Sequence, residues 1–218
     1  GFCSVIMEGR GIPAKGAFPG SFSYGNDAVE TVSYDPEEAK KLLEESGWTD
    51  TDGDGYVDKD GQKLTINWLT YPTRLEQPKL AEYAQATLKE IGIDVSVNNT
   101  SDHRTYAENG EFDVYVSSLT TAPTGDPEYF FSSTVTGSKN YGNYQNDEVT
   151  KLTEQLHQTF DTDERGKLAV ELQQKILDDD AYFFVSHLNM GIVTKANVTG
   201  MAAHPCDYYE ITADLDVQ

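Results

Sequence analysis

Aspartates crowd one stretch of the chain, Asp50-Thr-Asp52-Gly-Asp54-Gly-Tyr56-Val-Asp58-Lys-Asp60-Gly61. Asp50, Asp52, Asp54 and Asp58 stand at the first, third, fifth and ninth positions of a calcium loop, with Gly55 at the turn and Tyr56 offering a carbonyl. The twelfth position, where a bidentate glutamate belongs, is Gly61, and Asp60 comes one residue early. KLTINWLT follows as a strand, not a second helix, so this is not an EF-hand. Two chemistries remain: a weak calcium loop over 50–60, or an acidic turn held by its own Asx hydrogen bonds.

Elsewhere the residue types speak against catalysis. There is no G-x-S-x-G, H-E-x-x-H, C-x-x-C or glycine-rich phosphate loop. His103, His157, His187 and His204 are scattered. His204, beside Pro205 in the tail, is the candidate for a single metal or chelate ligand. Carboxylates are too many for one pair to stand out as acid and base. Cys3 and Cys206 make neither a disulfide framework nor a zinc site. They are expected as free thiols, with a bridge joining the chain ends as the alternative.

The sequence offers binding chemistry in EFDVYVSSLTTAPTGDPEYFF, residues 111–131. Phe112, Val114 and Val116 alternate with Asp113, Tyr115 and Ser117, as on a strand. The chain then enters a loop with Pro123, Gly125 and Pro127, followed by Tyr129-Phe130-Phe131. Open α/β sheets bind ligands where strands empty at their carboxyl ends into polar loops. The alternative is an ordinary surface connection.

The elements that must position this loop are readable. Asp35-Pro36-Glu37-Glu38 opens a helix as a capping box, Ala39, Leu42 and Leu43 give its buried stripe, and Gly47 closes it. Leu64, Ile66 and Trp68 alternate as a strand. Leu80, Tyr83, Ala84, Leu88 and Ile91 recur at helical spacing, and Ile93, Val95 and Val97 alternate again. This strand–helix–strand order predicts a right-handed parallel crossover. A short helix near 101–109 leads to the strand at 112–118. Two helices follow, one with Val149, Leu152 and Leu156, the next opening at Asp161 with Leu168, Leu172 and Ile176. Residues 1–11 read as the end of a helix and 12–34 as irregular. Strands are expected at 182–185 and 191–194.

The 218 residues carry a net charge of −21, from 37 acidic and 16 basic side chains. That excludes nucleic acid and anionic lipid as partners, since both need basic surface. No apolar run is long enough to span a membrane. The start, GFCSVIMEGRG, has no signal-peptide pattern and no initiating Met, so it reads as an interior piece of a longer protein. Any signal or anchor would lie outside it.

Taken in order, GRGIPAKGAFPG, YDPEEAKKLLEESGW, DTDGDGYVDKDGQKL, LKEIGIDVSV, NGEFDVYVSSLTTAPTGDP, DERGKLAVELQQKILDDDAYFF and KANVTGM resemble the family 5 extracellular solute-binding proteins, the peptide and nickel receptors of ABC importers. The resemblance runs over essentially the whole chain. It implies an α/β fold, one lobe of a type II periplasmic-binding-protein architecture with a mixed sheet flanked by helices. Residues 1–218 would be the C-terminal lobe, with 50–61 as an insertion. It further implies a receptor without chemistry of its own, monomeric and extracytoplasmic, that closes on its ligand and docks on permease subunits.

By the same resemblance, peptide receptors carry a Trp after the strand and an Asp three residues before the Asp-Pro. Here Thr120 or Thr121 and Pro123 stand there. The tail, VTGMAAHPCDYYEI, is similar to nickel and metallophore receptors. The expected cargo is a small nickel chelate, with a peptide as alternative and no required cofactor. The expected contacts are Thr120, Thr121, Pro123, Thr124, Gly125, Asp126, Tyr129 and His204.

Overall fold

The structure, a computed structural model, describes residues 1–203 and 211–218. In chain order, a π-helical turn at Phe2–Ile6 leads to strand β1 (Gly11–Pro13) and, after a short 3-10 turn, to helix α1 (Pro36–Glu45). A ribbon, β2 (Asp58–Lys59) and β3 (Gln62–Lys63), precedes β4 (Thr65–Thr70), α2 (Glu76–Lys89), β5 (Asp94–Asn99), α3 (His103–Glu108) and β6 (Val114–Tyr115). Then come α4 (Glu128–Phe130), running into a π-helical turn, α5 (Asp147–Gln158), α6 (Thr162–Asp178), β7 (Ser186–Leu188), β8 (Val198–Thr199) and β9 (Asp216–Val217). Among the described residues no helix is long and apolar enough to cross a membrane. The chain divides into two compact units, one built on Val32–Ser118, the other on Cys3–Thr31 with Leu119–Gln218.

The Val32–Ser118 unit is the expected parallel crossover. Its sheet has the order β5-β4-β6, all parallel, with Thr65 opposite Asp94 and Trp68 opposite Val114. Helix α2 packs Leu80, Ala81 and Ala84 onto β4 and β5, where Leu69 and Val95 are buried. Because β5 and β6 flank β4 on opposite sides, the chain reverses its direction of travel between β4 and β6. The carboxyl ends of those two strands form the switch point of the sheet.

Two expectations in this unit need correction. Helix α1 is capped as read, Asp35 accepting the Glu38 N–H at 3.0 Å, but it buries no residue and Leu42 is 54% exposed. An amphipathic stripe says which face would be buried, not what covers it. The strand at 112–118 shrinks to two residues; at its start the Asp113 side chain takes the N–H that a longer ladder would give to a backbone carbonyl, Oδ2 accepting both the backbone and the amide N–H of Asn67.

The other unit is built on the hairpin of α5 and α6. Asn146 caps α5 through the N–H groups of Glu148 and Val149, and Asp161 caps α6 through that of Glu164. Val149, Leu156, Leu168, Leu172 and Ile176 close over Phe18, Phe130, Phe131 and Val135. The aromatic rings meet edge to face, Phe18 lying 5.9 Å from Phe130 and 5.8 Å from Phe131, the geometry their quadrupoles favour. The fully buried Gln173 accepts the Ala17 N–H and donates to the Tyr24 carbonyl, tying the 14–31 segment to α6.

The stretch expected as irregular, 12–34, is not wholly so, since its first residues belong to β1, which pairs antiparallel with β7, Ile12 opposite His187. The strands expected at 182–185 and 191–194 are absent. Tyr182 and Phe184 instead pack against the aromatic core, and pairing begins at Ser186. Cys3 is a buried free thiol; Cys206 lies outside the described residues.

Candidate functional site

The loop after β6 is built from its turn outward. Gly125 N–H closes a turn onto the Ala122 carbonyl at 3.0 Å. Pro123 sits second in this turn, where its fixed φ suits the backbone, and it is buried. Gly125 has φ +80°, a left-handed conformation that side chains disfavour. Thr121 Oγ1 donates to the Ala17 carbonyl at 2.9 Å, and the Tyr24 hydroxyl donates to the Gly125 carbonyl at 2.8 Å. Burial, with the nearby Asp126 charge adding to it, pushes that hydroxyl up to about 12, so it stays a donor. Thr120, Thr124, Gly125 and Tyr129 are exposed. The Tyr129 hydroxyl accepts from Lys139 Nζ at 3.0 Å.

Asp126 is engaged within the protein. Arg165 grips it as a fork, Nε to Oδ2 at 2.9 Å and Nη2 to Oδ1 at 2.6 Å, and Oδ1 also accepts the Glu128 N–H. Arg165 Nη2 reaches Glu128 as well, whose other oxygen meets His157 Nδ1 at 2.7 Å. Burial raises the Glu128 carboxyl, but the hydrogen bonds and charges of His157 and Arg165 outweigh it and hold the group below its ordinary range. The sequence marks Arg165 only as a cation in the first turn of a helix, and nothing in it points to Asp126, 39 residues away.

A second polar group that residue spacing does not reveal lies at the switch point of the parallel sheet. Ser118 donates its N–H to the Tyr71 hydroxyl and its own hydroxyl to Glu76, and it accepts from Gln77 Nε2. His103 stacks on Tyr71 at 4.1 Å and its Nδ1 meets the Tyr115 hydroxyl at 2.7 Å. Desolvation, then the charge of Arg104, lowers the imidazole and favours its neutral form. A cleft of about 380 Å³ between Asn67, Ser96, Asn98, Tyr106 and Asp113 lies on the face of the same sheet.

The 50–61 loop brings Asp50, Asp52 and Asp58 together, with carboxylate oxygens within 4.8 Å of one another. Each of the three is already a hydrogen-bond acceptor. Asp50 takes the N–H groups of Gly53 and Gly55, Asp52 that of Asp54, and Asp58 the N–H and hydroxyl of Thr51. Asp54 stands apart from the three, accepting the Tyr56 N–H and pairing with Lys63 at 3.4 Å. The Tyr56 ring lies under Lys63 and Lys89. The β2–β3 ribbon follows where an EF-hand would have its second helix. His204 lies outside the described residues.

Comparison with known proteins bears on both units. Residues 2–142 match the model of the bacterial extracellular solute-binding proteins, family 5 Middle. The oligopeptide-binding protein AppA of Bacillus subtilis is 32% identical over 95% of this chain and 40% of its own. Its solved structure, in complex with a nonapeptide, superposes with a TM-score of 0.76 at 26% identity, covering 94% of this chain and 42% of that one. The nickel-binding periplasmic protein of Escherichia coli is 28% identical over 86% of this chain and 37% of its own. A nickel ABC transporter structure from Bacillus halodurans gives a TM-score of 0.77 at 28% identity, covering 99% of this chain and 46% of that one. The chain thus spans about two fifths of the length of the curated relatives it matches. The matching family consists of solute-binding proteins, not enzymes. With a family model matched from residue 2 to residue 142 and the same fold on solved members, the chain belongs to the family 5 bacterial extracellular solute-binding proteins.

Proposed function

We propose that this chain is the C-terminal lobe of the extracytoplasmic substrate-binding receptor of an ABC importer. The receptor captures a small nickel chelate and passes it to permease subunits. It is held at the membrane by a segment of the polypeptide outside this chain. The ligand meets the 119–129 loop through Thr120, Thr121, Thr124, Gly125 and Tyr129, with Pro123 and Asp126 shaping that loop and His204 as a further contact.

The observation that carries the cargo is the commitment of Asp126. Pro123 stands where the resemblance to peptide receptors wants a carboxylate, and the nearest loop carboxylate is gripped by Arg165. An α-ammonium desolvated against this loop would lack a counter-charge, a cost on the order of several kcal/mol. A chelate whose charge is balanced internally avoids it. The names of two relatives, a nickel-binding periplasmic protein and a nickel ABC transporter, support this reading.

An oligopeptide cargo is the second reading, favoured by the 32% identity to AppA. Purifying the full-length polypeptide and applying mass spectrometry with metal analysis separates the two. Co-purified nickel in an organic chelator supports the first reading. Peptides without nickel replace it with the second.

A further inference from the structure

We infer that Arg165 is the positioning residue of the 119–129 loop, fixing the shape the ligand meets; this rests on the receptor reading above. The guanidinium has five N–H donors, and every one is placed. Nε and Nη2 take Asp126 as a fork, Nη2 also takes Glu128 at 3.0 Å, and Nη1 takes the carbonyls of Leu156 and Thr159 at 2.6 Å each. Those carbonyls end α5, where intrahelical partners run out and the helix dipole is negative. One side chain, 14% exposed, therefore ties together the end of α5, the start of α6 and the base of the loop.

Its address argues the same way. The first turn of a helix favours acids, and Asp163 and Glu164 fill that role in α6. A cation one residue further on is poorly placed for its own helix, so its partners justify it. Farther along the loop, Thr121 to Ala17 and Tyr24 to Gly125 hold it to the 14–31 segment. Without Arg165 the Asp126–Glu128 base would be released, and the exposed Thr124–Gly125 apex with it. A lysine keeps the charge but not the fork or the paired carbonyl contacts. Binding energy would then be spent on ordering the loop.

The test uses the full-length polypeptide as wild type, R165M, R165K and D126N. Amide exchange is measured by mass spectrometry, and binding by calorimetry with two probes, nickel(II) in L-histidine and a nonapeptide. In R165M and R165K the amides of Gly125 and Glu128 are expected to exchange at least about tenfold faster, while those of Leu172 and Ile176 keep wild-type rates. Whichever probe the wild type binds should bind all three variants about tenfold more weakly. Faster exchange throughout 162–178 as well as the loop would make Arg165 a general structural ion pair and overturn the inference. So would an unmoved loop, or a loosened loop with unchanged affinity. Should R165M fail to fold, R165K and D126N carry the same measurements. A wild type that binds neither probe sinks the receptor reading and this inference with it; a wild type that binds with indifferent variants sinks this inference alone.

Discussion

The loops at 50–61 and 119–129 are made of the same ingredients, aspartate, glycine and threonine, and are organised in opposite ways. In the first, side chains serve the loop's own backbone: Asp50 takes the N–H groups of Gly53 and Gly55, and Asp58 takes Thr51. In the second, the decisive partners come from far along the chain: Tyr24, Ala17 and Arg165. Density of acid made the first conspicuous in sequence, yet it is the second that is fixed to a hydrophobic core. A loop whose carboxylates serve its own backbone is a turn, whereas a loop whose side-chain partners are long-range has its shape imposed, which is what a ligand surface requires.

The comparison breaks most visibly at the Arg165 fork. Asp126→Ala leaves a largely buried guanidinium without its main counter-charge. The expected destabilisation is about 2–3 kcal/mol, below the full penalty of a buried pair because Asp126 is 41% exposed. Denaturant unfolding measures it. A loss no larger than that of Asp50→Ala would show the two loops to be alike after all.

Glycines sharpen the contrast. Gly125 and Gly53 have φ of +80° and +81°, and a Cβ added at either would meet nothing within 4 Å. Gly125→Ala and Gly53→Ala should therefore cost about the same, roughly 1 kcal/mol each. Only Gly125→Ala should also weaken ligand binding in the full-length protein. Equal losses of affinity would remove the 119–129 loop from its assigned role.

Much of this was legible in sequence, and the failures have physical causes. Asp35 and Asp161 announce their helices because capping is local, and the parallel crossover follows from two alternating runs around a helical one. Asn146 is as good a cap, but with Asp147 next to it the sequence does not single it out. The 182–185 strand fails because an apolar alternation fits packing on a core as well as pairing in a sheet, and Tyr182 and Phe184 do the former. Arg165 and the Ser118–Tyr71–Glu76 group are set by tertiary approach, which spacing does not encode. The faint signal for Arg165 was a cation in the first turn of a helix, where an acid is favoured.

Acid should separate the loops next. Glu128 is held below its ordinary 4.5, so its share of stability is complete above that pH and is lost as pH falls through the lower folded value. Glu128→Gln removes this linkage. The melting temperatures of wild type and variant should differ at pH 7 and converge as the pH falls below the ordinary carboxylate range. Asp58 is also lowered, by its Thr51 hydrogen bonds, so Asp58→Asn should move in the same direction. Its effect should be smaller because hydrogen bonds within one solvated turn are screened and contribute little.

The smallest effect is expected from calcium. A cation seated among Asp50, Asp52 and Asp58 would stabilise the fold by mass action, raising the melting temperature with concentration. In the structure those carboxylates already answer five backbone N–H groups or hydroxyls of the loop itself, and Asp54 is drawn to Lys63. The turn is therefore complete without a cation. Millimolar calcium should shift the melting temperature by less than about 1 °C, and a chelator should do nothing. A rise of several degrees, abolished by Asp50→Asn, would mean that the self-satisfied loop also binds a cation, and the distinction between the two loops would then rest on Arg165 alone.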